Sequence, residues 1–157
     1  MKSLALVLCF SLLPAAALAK SWPHADAKVT IDIPDSWKVE PDGDALNATS
    51  PDETAALIFV IVPADTLQKA ADEIDKELDK IVKDVTMEDG KETTLNGMKA
   101  WAADGKGKAD GKGVDIGVAF IQTKSGKILL VLGFGETGKY EKHEADISKI
   151  LQSIKPQ

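Results

Sequence analysis

The sequence contains no arginine: all nineteen of its basic residues are lysines, against 25 aspartates and glutamates, which leaves a formal charge of −6. Proteins that bind nucleic acids or phosphorylated ligands usually rely on forked guanidinium groups and a positive field. This chain has neither, and its acidic balance opposes binding to DNA, RNA or an anionic membrane surface. We therefore expect no nucleic acid among its partners.

Cysteine and histidine are nearly absent as well. The single cysteine, Cys9, lies near the N-terminus, and the two histidines, His24 and His143, are far apart in the sequence. Without further cysteines a chain has few thiol nucleophiles or disulfides to offer, and two distant histidines make a poor ligand set for zinc or copper. His143-Glu144 also lacks the second histidine of a zinc-protease helix, because Ile147 stands in its place. We expect both histidines at the solvated surface and no bound metal.

The N-terminal residues have the organisation of a secretory signal peptide. Lys2 gives a positive start, Leu4 to Leu13 form an apolar run too short to span a membrane, and Ala17-Leu18-Ala19 offers a cleavage site before Lys20. Cleavage there would remove Cys9 and leave a body without thiols. The expected location is the periplasm of a bacterium or the secreted fraction, with no membrane insertion after the signal is removed.

The length of the chain suits one domain after such a signal. The predicted segments are a signal peptide over 1–19, a flexible leader over 20–27 and a single α+β domain over 28–157.

Hydrophobic periodicity predicts strands on both sides of one long helix. Residues 55–62 are apolar on both faces, which is typical of a strand at the centre of a covered sheet. Asp65 or Thr66 is the expected N-cap of a helix whose apolar stripe continues to Val85. Asn96-Gly97 predicts a tight hairpin, and the glycine-rich stretch 105–113 a flexible loop.

A second amphipathic helix is predicted over 147–154, before Pro156. Because tight turns join most neighbouring strands, the expected fold class is α+β, with a largely antiparallel sheet sandwiched between helices.

One motif resembles a cofactor site. Gly133 to Gly138 matches G-x-G-x-x-G after an apolar strand, the pattern that cradles a dinucleotide pyrophosphate. Only nineteen residues follow it, which is too few for the second parallel strand and the ribose-binding acid of such a site. We therefore expect a glycine-rich strand exit and no cofactor.

Four residues are candidates for contact with a partner. Lys106, Lys108 and Lys112 form the only dense run of positive charge on an acidic chain, and Trp22 is an aromatic residue within the predicted leader. No serine stands in a nucleophile motif, whereas 25 acids leave paired carboxylates possible as catalysts.

Several local patterns resemble those of Mog1/PsbP-like domains, a group that includes periplasmic bacterial proteins of the DcrB type. The patterns are Val29 to Trp37 (strand, proline, turn, tryptophan), the hairpin Leu95-Asn96-Gly97-Met98 and the closing helix Ile147 to Lys155. The resemblance implies an antiparallel sheet packed with helices and a function in protein binding or accessory work. It offers no catalytic residues.

These observations predict an exported, non-catalytic binding or accessory domain whose partner is another protein. Two alternatives stay open: an exported inhibitor or immunity-type protein directed at a cationic enzyme or toxin, and a hydrolase that uses paired carboxylates.

Overall fold

In the computed structural model, residues 18–157 are described. The predicted signal peptide falls outside this range except for Leu18 and Ala19, and so does Cys9. The strands are β1 (Ala19–His24), β2 (Val29–Pro34), β3 (Lys38–Asp42), β4 (Ala45–Thr49), β5 (Ala55–Val62), β6 (Lys83–Met87), β7 (Lys91–Leu95), β8 (Met98–Ala109), β9 (Lys112–Gln122), β10 (Ile128–Glu136) and β11 (Lys155–Pro156). The helices are α1 (Leu67–Leu78) and α2 (Glu144–Ser153), with a 3-10 turn at Tyr140–His143 before α2.

The strands form two sheets in which every pairing is antiparallel. The main sheet has the order β3-β4-β5-β10-β9-β8-β6, and β7 pairs with the other end of β8. β5 and β10 are interior strands, and the place of β5 confirms the central position predicted from the two apolar faces of residues 55–62. The small sheet has the order β1-β2-β11.

Each face of the main sheet is covered differently, so the predicted packing between helices is only partly correct. On one face, Ala70, Ile74 and Leu78 of α1 are buried against β9 and β10. On the other face, α2 and the small sheet close a second core, in which side chains of β2 lie fully buried. The second layer is therefore mixed, because α2 alone has too few apolar residues to cover that face.

The predicted flexible leader contains a strand. β1 pairs with β2 along its whole length, from Ala19 opposite Pro34 to His24 opposite Val29. His24 is 5% exposed, and its Nδ1 accepts a hydrogen bond from the Ala27 amide at 3.3 Å. The expectation of a mobile, solvated His24 was wrong, since strand pairing holds this segment against the core.

The long helix is shorter than its periodicity predicted. Thr66 is the N-cap, accepting a hydrogen bond from the Lys69 amide at 3.2 Å, but α1 ends at Leu78. The apolar residues that follow enter a turn and then β6. Ile81 and Val85 continue the helical spacing only by coincidence, since Ile81 lies exposed in the turn and Val85 lies half-buried in β6.

The glycine-rich stretch 105–113 is a hairpin rather than a flexible loop. β8 and β9 pair as far as Ala109 opposite Lys112, and Asp110 and Gly111 make the turn with φ of 50° and 76°. Gly105 and Gly107 are required within β8, because an added Cβ would lie 2.3 Å from the side chains of Met87 and Val82 respectively.

Candidate functional site

A groove lined by apolar side chains lies on the α1 face of the main sheet. Its volume is about 270 Å³. We call it the apolar groove; it is lined by Ile58, Leu78, Ile81, Val82, Ala109, Val114, Ile116, Leu132 and Phe134.

The groove is open because α1 is too short to cover the sheet. Twelve helical residues span about 18 Å, whereas the eleven residues of β9 span about 36 Å. The face beyond the end of α1 consequently stays uncovered.

Two large apolar side chains stand exposed at the groove. Ile81 is 62% exposed and Phe134 is 37% exposed, whereas Ile116 and Leu132 form a buried floor between them. Exposed apolar surface of this kind is typical of interaction sites. Sequence analysis missed both residues, because Ile81 fitted the helical stripe and Phe134 lay inside the glycine motif.

The groove opens into a charged depression that we call the mouth. The mouth shares Ala109, Val114 and Phe134 with the groove, and its charged lining residues are Glu53, Asp110, Lys112 and Glu136. Lys139 Nζ lies 3.0 Å from a Glu136 carboxylate oxygen, and its hydrogen bond lowers the pKa of Glu136. Within residues 18–157, Glu53 and Asp110 form no salt bridge.

A larger cavity of about 540 Å³ lies on the opposite face of the sheet. We call it the tyrosine cavity, and it gathers five carboxylates around one tyrosine and one lysine: Glu88, Asp104, Lys106, Asp115, Tyr140, Glu141 and Glu144. Burial raises the pKa of Tyr140 to about 12, with smaller contributions from the charges of Asp104, Glu144 and Asp115.

The absence of side chains at the motif glycines leaves room for the ring of Tyr140. A Cβ at Gly133 would lie 2.5 Å from Tyr140 Oη, and one at Gly135 would lie 2.9 Å from Tyr140 Cδ2 and 2.2 Å from the Thr54 carbonyl oxygen. Gly138 has a φ of 80° in the turn that follows. The glycines thus make room for an aromatic ring and a chain reversal, as a glycine-rich strand exit requires.

The three candidate lysines do not converge. Lys106 lines the tyrosine cavity among carboxylates, and Lys108 pairs with Asp84 at 3.0 Å. Side chains alternate along a strand, so these two share one face, whereas Lys112 lies at the mouth on the α1 face. The structure divides the predicted positive patch between the two faces.

Trp22 lies on β1, far along the chain from those lysines. Its side chain is partly buried against the second core, and Lys20 Nζ stands 4.2 Å from its ring centroid. Pro23, His24 and Leu46 line a shallow depression of about 290 Å³ beside it.

His143 belongs to a polar cluster that the sequence did not reveal. Its Nε2 lies 2.8 Å from Asp52 Oδ1 and 3.1 Å from Thr54 Oγ1, and its side chain is only 13% exposed. Ser50 Oγ also donates to Asp52 Oδ1 at 2.8 Å. The expectation of a solvated His143 was wrong, because the partners lie about ninety residues away in sequence.

The hydrogen bonds of this cluster have a structural role, because they join His143 to the distant residues Asp52 and Thr54. The hydroxyls of Thr54 and Ser50 donate hydrogen bonds to Asp52 and hold its pKa far below the ordinary value. In a catalytic triad the acid and the nucleophile bond different nitrogens of the histidine. Here Asp52 and Thr54 share Nε2, so no proton relay runs through the ring.

Two further properties concern the described part of the chain. No group of three or more His, Cys, Asp or Glu side chains between residues 18 and 157 is arranged to hold a metal ion. Over the same range, neither helix has the length and apolarity needed to cross a membrane.

Comparison with known proteins shows the fold alone. No protein-family model matches the chain, and no curated protein matches it. Among solved structures, LpqN of Mycobacterium tuberculosis, involved in cell envelope biogenesis, is 15% identical with a TM-score of 0.65, covering 88% of this chain and 91% of that one. The Ran-binding protein Mog1p of Saccharomyces cerevisiae is 14% identical with a TM-score of 0.60, covering 89% and 96%. Cyanobacterial PsbP from Synechocystis is 10% identical with a TM-score of 0.61, covering 90% and 94%.

Proposed function

Since the chain has a Mog1/PsbP-like fold and leaves an apolar groove open on its sheet, we propose that it is an exported, non-catalytic binding domain for another protein. The observation that carries the proposal is the exposure of Ile81 and Phe134 at the groove. Pockets for whole small molecules usually enclose about 300–1,000 Å³. The groove, at about 270 Å³, is better matched to one or two apolar side chains of a partner.

One similar protein supports a binding role, since Mog1p is a Ran-binding protein. LpqN, which is involved in cell envelope biogenesis, supports a location in the cell envelope. Export rests on the signal-peptide pattern of residues 1–19. Lys112 belongs to the proposed contact surface because it lies at the mouth. Contacts at Trp22, Lys106 and Lys108 remain predictions, since these residues lie away from the groove.

Site-specific crosslinking tests the proposal. A photoreactive benzoylphenylalanine is placed at Phe134 and, as a control, at the exposed Lys149 of α2, and the cells are irradiated. We expect one protein to crosslink at position 134 and not at position 149. Ile81→Gln should weaken that crosslink while leaving the stability within about 0.5 kcal/mol, because the side chain is exposed.

The identity of the adduct decides between outcomes. A basic enzyme or toxin as the crosslinked protein would favour the inhibitor or immunity-type alternative. Identical adducts at both positions, or lipid adducts alone, would refute protein binding through the groove.

One observation favours a second candidate function, a hydrolase with paired carboxylates. The tyrosine cavity brings Asp104, Asp115 and Glu144 around one opening of about 540 Å³. A screen against glycosides and esters tests this candidate. Turnover that is lost in Asp104→Asn and Glu144→Gln, and retained in the exposed α1 variant Asp72→Asn, would establish it in place of the binding function.

A further inference from the structure

We propose that the partner segment seated in the apolar groove carries a lysine or arginine next to its apolar anchor. This inference rests on the proposed protein-binding function and adds the charge of the occupant.

The groove and the mouth together form one continuous surface. They share Ala109, Val114 and Phe134, so a single extended segment occupies both. An apolar side chain in the groove then places a neighbouring residue at the mouth, since an extended chain advances only about 3.3–3.6 Å per residue.

The charges at the mouth select the neighbouring residue. Lys139, whose Nζ lies 3.0 Å from Glu136, neutralises that carboxylate. The other charged groups at the mouth are two carboxylates, Glu53 and Asp110, and one lysine, Lys112, so negative charge predominates there. The chain as a whole carries a charge of −6, which attracts a basic partner and repels an acidic one. A basic neighbour would therefore complement Glu53 and Asp110.

The same lining disfavours a lipid chain as the occupant. An acyl chain needs an apolar lining along its length, whereas the lining here becomes charged at Asp110 and Lys112. Anionic headgroups would also meet an acidic protein. A peptide segment that is apolar at one residue and cationic at the next fits both the groove and the mouth.

Peptide titration followed by NMR tests the inference. The ¹⁵N-labelled protein is titrated with the acetylated, amidated peptides Gly-Lys-Phe-Lys-Gly, Gly-Gln-Phe-Gln-Gly and Gly-Glu-Phe-Glu-Gly, and the amides of Ile81 and Phe134 are monitored. Two exposed charge contacts predict that the lysine peptide binds about three- to tenfold more tightly than the glutamate peptide. Added salt should reduce this preference.

Charge-neutral variants provide the control. Glu53→Gln combined with Asp110→Asn should bring the preference below about twofold. Asp72→Asn combined with Glu73→Gln, on the exposed side of α1, removes the same charge elsewhere and should leave the preference intact.

The outcomes separate the inference from the proposed function. Equal binding of the three peptides at Ile81 and Phe134 would refute the basic neighbour and keep the protein-binding groove. No peptide-induced shift at either amide would refute the groove itself. Shifts at these amides with phosphatidylcholine vesicles but with no peptide would refute both in favour of lipid binding.

Discussion

Adding one methyl group at Gly133 tests whether the glycine motif exists to accommodate Tyr140. In Gly133→Ala the new Cβ would lie 2.5 Å from Tyr140 Oη and 3.0 Å from Leu57 Cδ2. Overpacking of this kind costs about 1–3 kcal/mol, partly offset by roughly 0.5–1 kcal/mol from replacing glycine within a strand. We expect a net loss of about 1–2 kcal/mol in the free energy of unfolding.

The hydroxyl of Tyr140 provides an internal control. Tyr140→Phe removes Oη, after which the nearest ring atom, Cζ, lies 3.6 Å from the added methyl. The double variant should therefore recover about 1 kcal/mol of the loss, as a coupling between contacting residues. Gly135→Ala should not be recovered in this way, because its Cβ meets the Thr54 carbonyl oxygen at 2.2 Å and that oxygen belongs to the backbone.

Urea unfolding followed by circular dichroism measures the wild type and five variants, which are Gly133→Ala, Gly135→Ala, Tyr140→Phe and each glycine variant combined with Tyr140→Phe. Equal losses from Gly133→Ala with and without the Tyr140 hydroxyl would refute the packing explanation. The ring would then not be what excludes a side chain at position 133, and the motif would need another reason to be rich in glycine.

Three further outcomes are expected. Asn96→Asp should lower the free energy of unfolding by about 2–3 kcal/mol. The side-chain amide of Asn96 donates to two carbonyl oxygens at the end of α2, at 2.8 and 2.7 Å, and a carboxylate would repel both oxygens. As a control, Asp110→Asn in the similar hairpin turn should change the free energy of unfolding by less than about 0.5 kcal/mol. The pKa of Asp52 is lowered on folding, so its contribution to stability is complete above its ordinary pKa of 3.8 and is lost as the pH falls below that value; in acid unfolding, Asp52→Asn should lose less stability than the wild type over that range. Absorbance titration of Tyr140, the only tyrosine, should give a pKa near 12 instead of 10.0. The protein should lose stability as the pH rises between these two values, and Asp104→Asn should lower the pKa of Tyr140. A titration midpoint at 10.0 in the wild type would contradict the burial of the ring.

The parts of the fold that were predicted correctly depend on local patterns. The Asn96-Gly97 turn has positive φ at both residues, 47° and 79°, because the dipeptide alone favours that conformation. The two apolar faces of residues 55–62 placed β5 inside the sheet for a similarly local reason.

The errors arise where distant residues decide the conformation. Glycine at 105 and 107 indicated a loop, but Met87 and Val82 pack so closely on β8 that only glycine fits there. His24 lies in a polar segment that becomes a strand only by pairing with β2.

The candidate site was beyond sequence reasoning for the same reason. The groove exists because α1 ends at Leu78 while the strands beneath it continue. No single segment encodes that difference in length. The periodicity predicted a helix as far as Val85, and such a helix would have covered the apolar groove that the structure leaves open.

In the export that we propose, the position of β1 sets an order of events. The Asp35 amide donates to the Leu18 carbonyl oxygen at 2.9 Å, and Ala19 already lies opposite Pro34. A peptidase that cuts after Ala19 needs the residues around the cleavage site as a free extended strand, and they are no longer free once β1 has paired with β2. On that route, removal of residues 1–19 precedes the pairing of β1 with β2, because a chain that folded first would protect its own cleavage site.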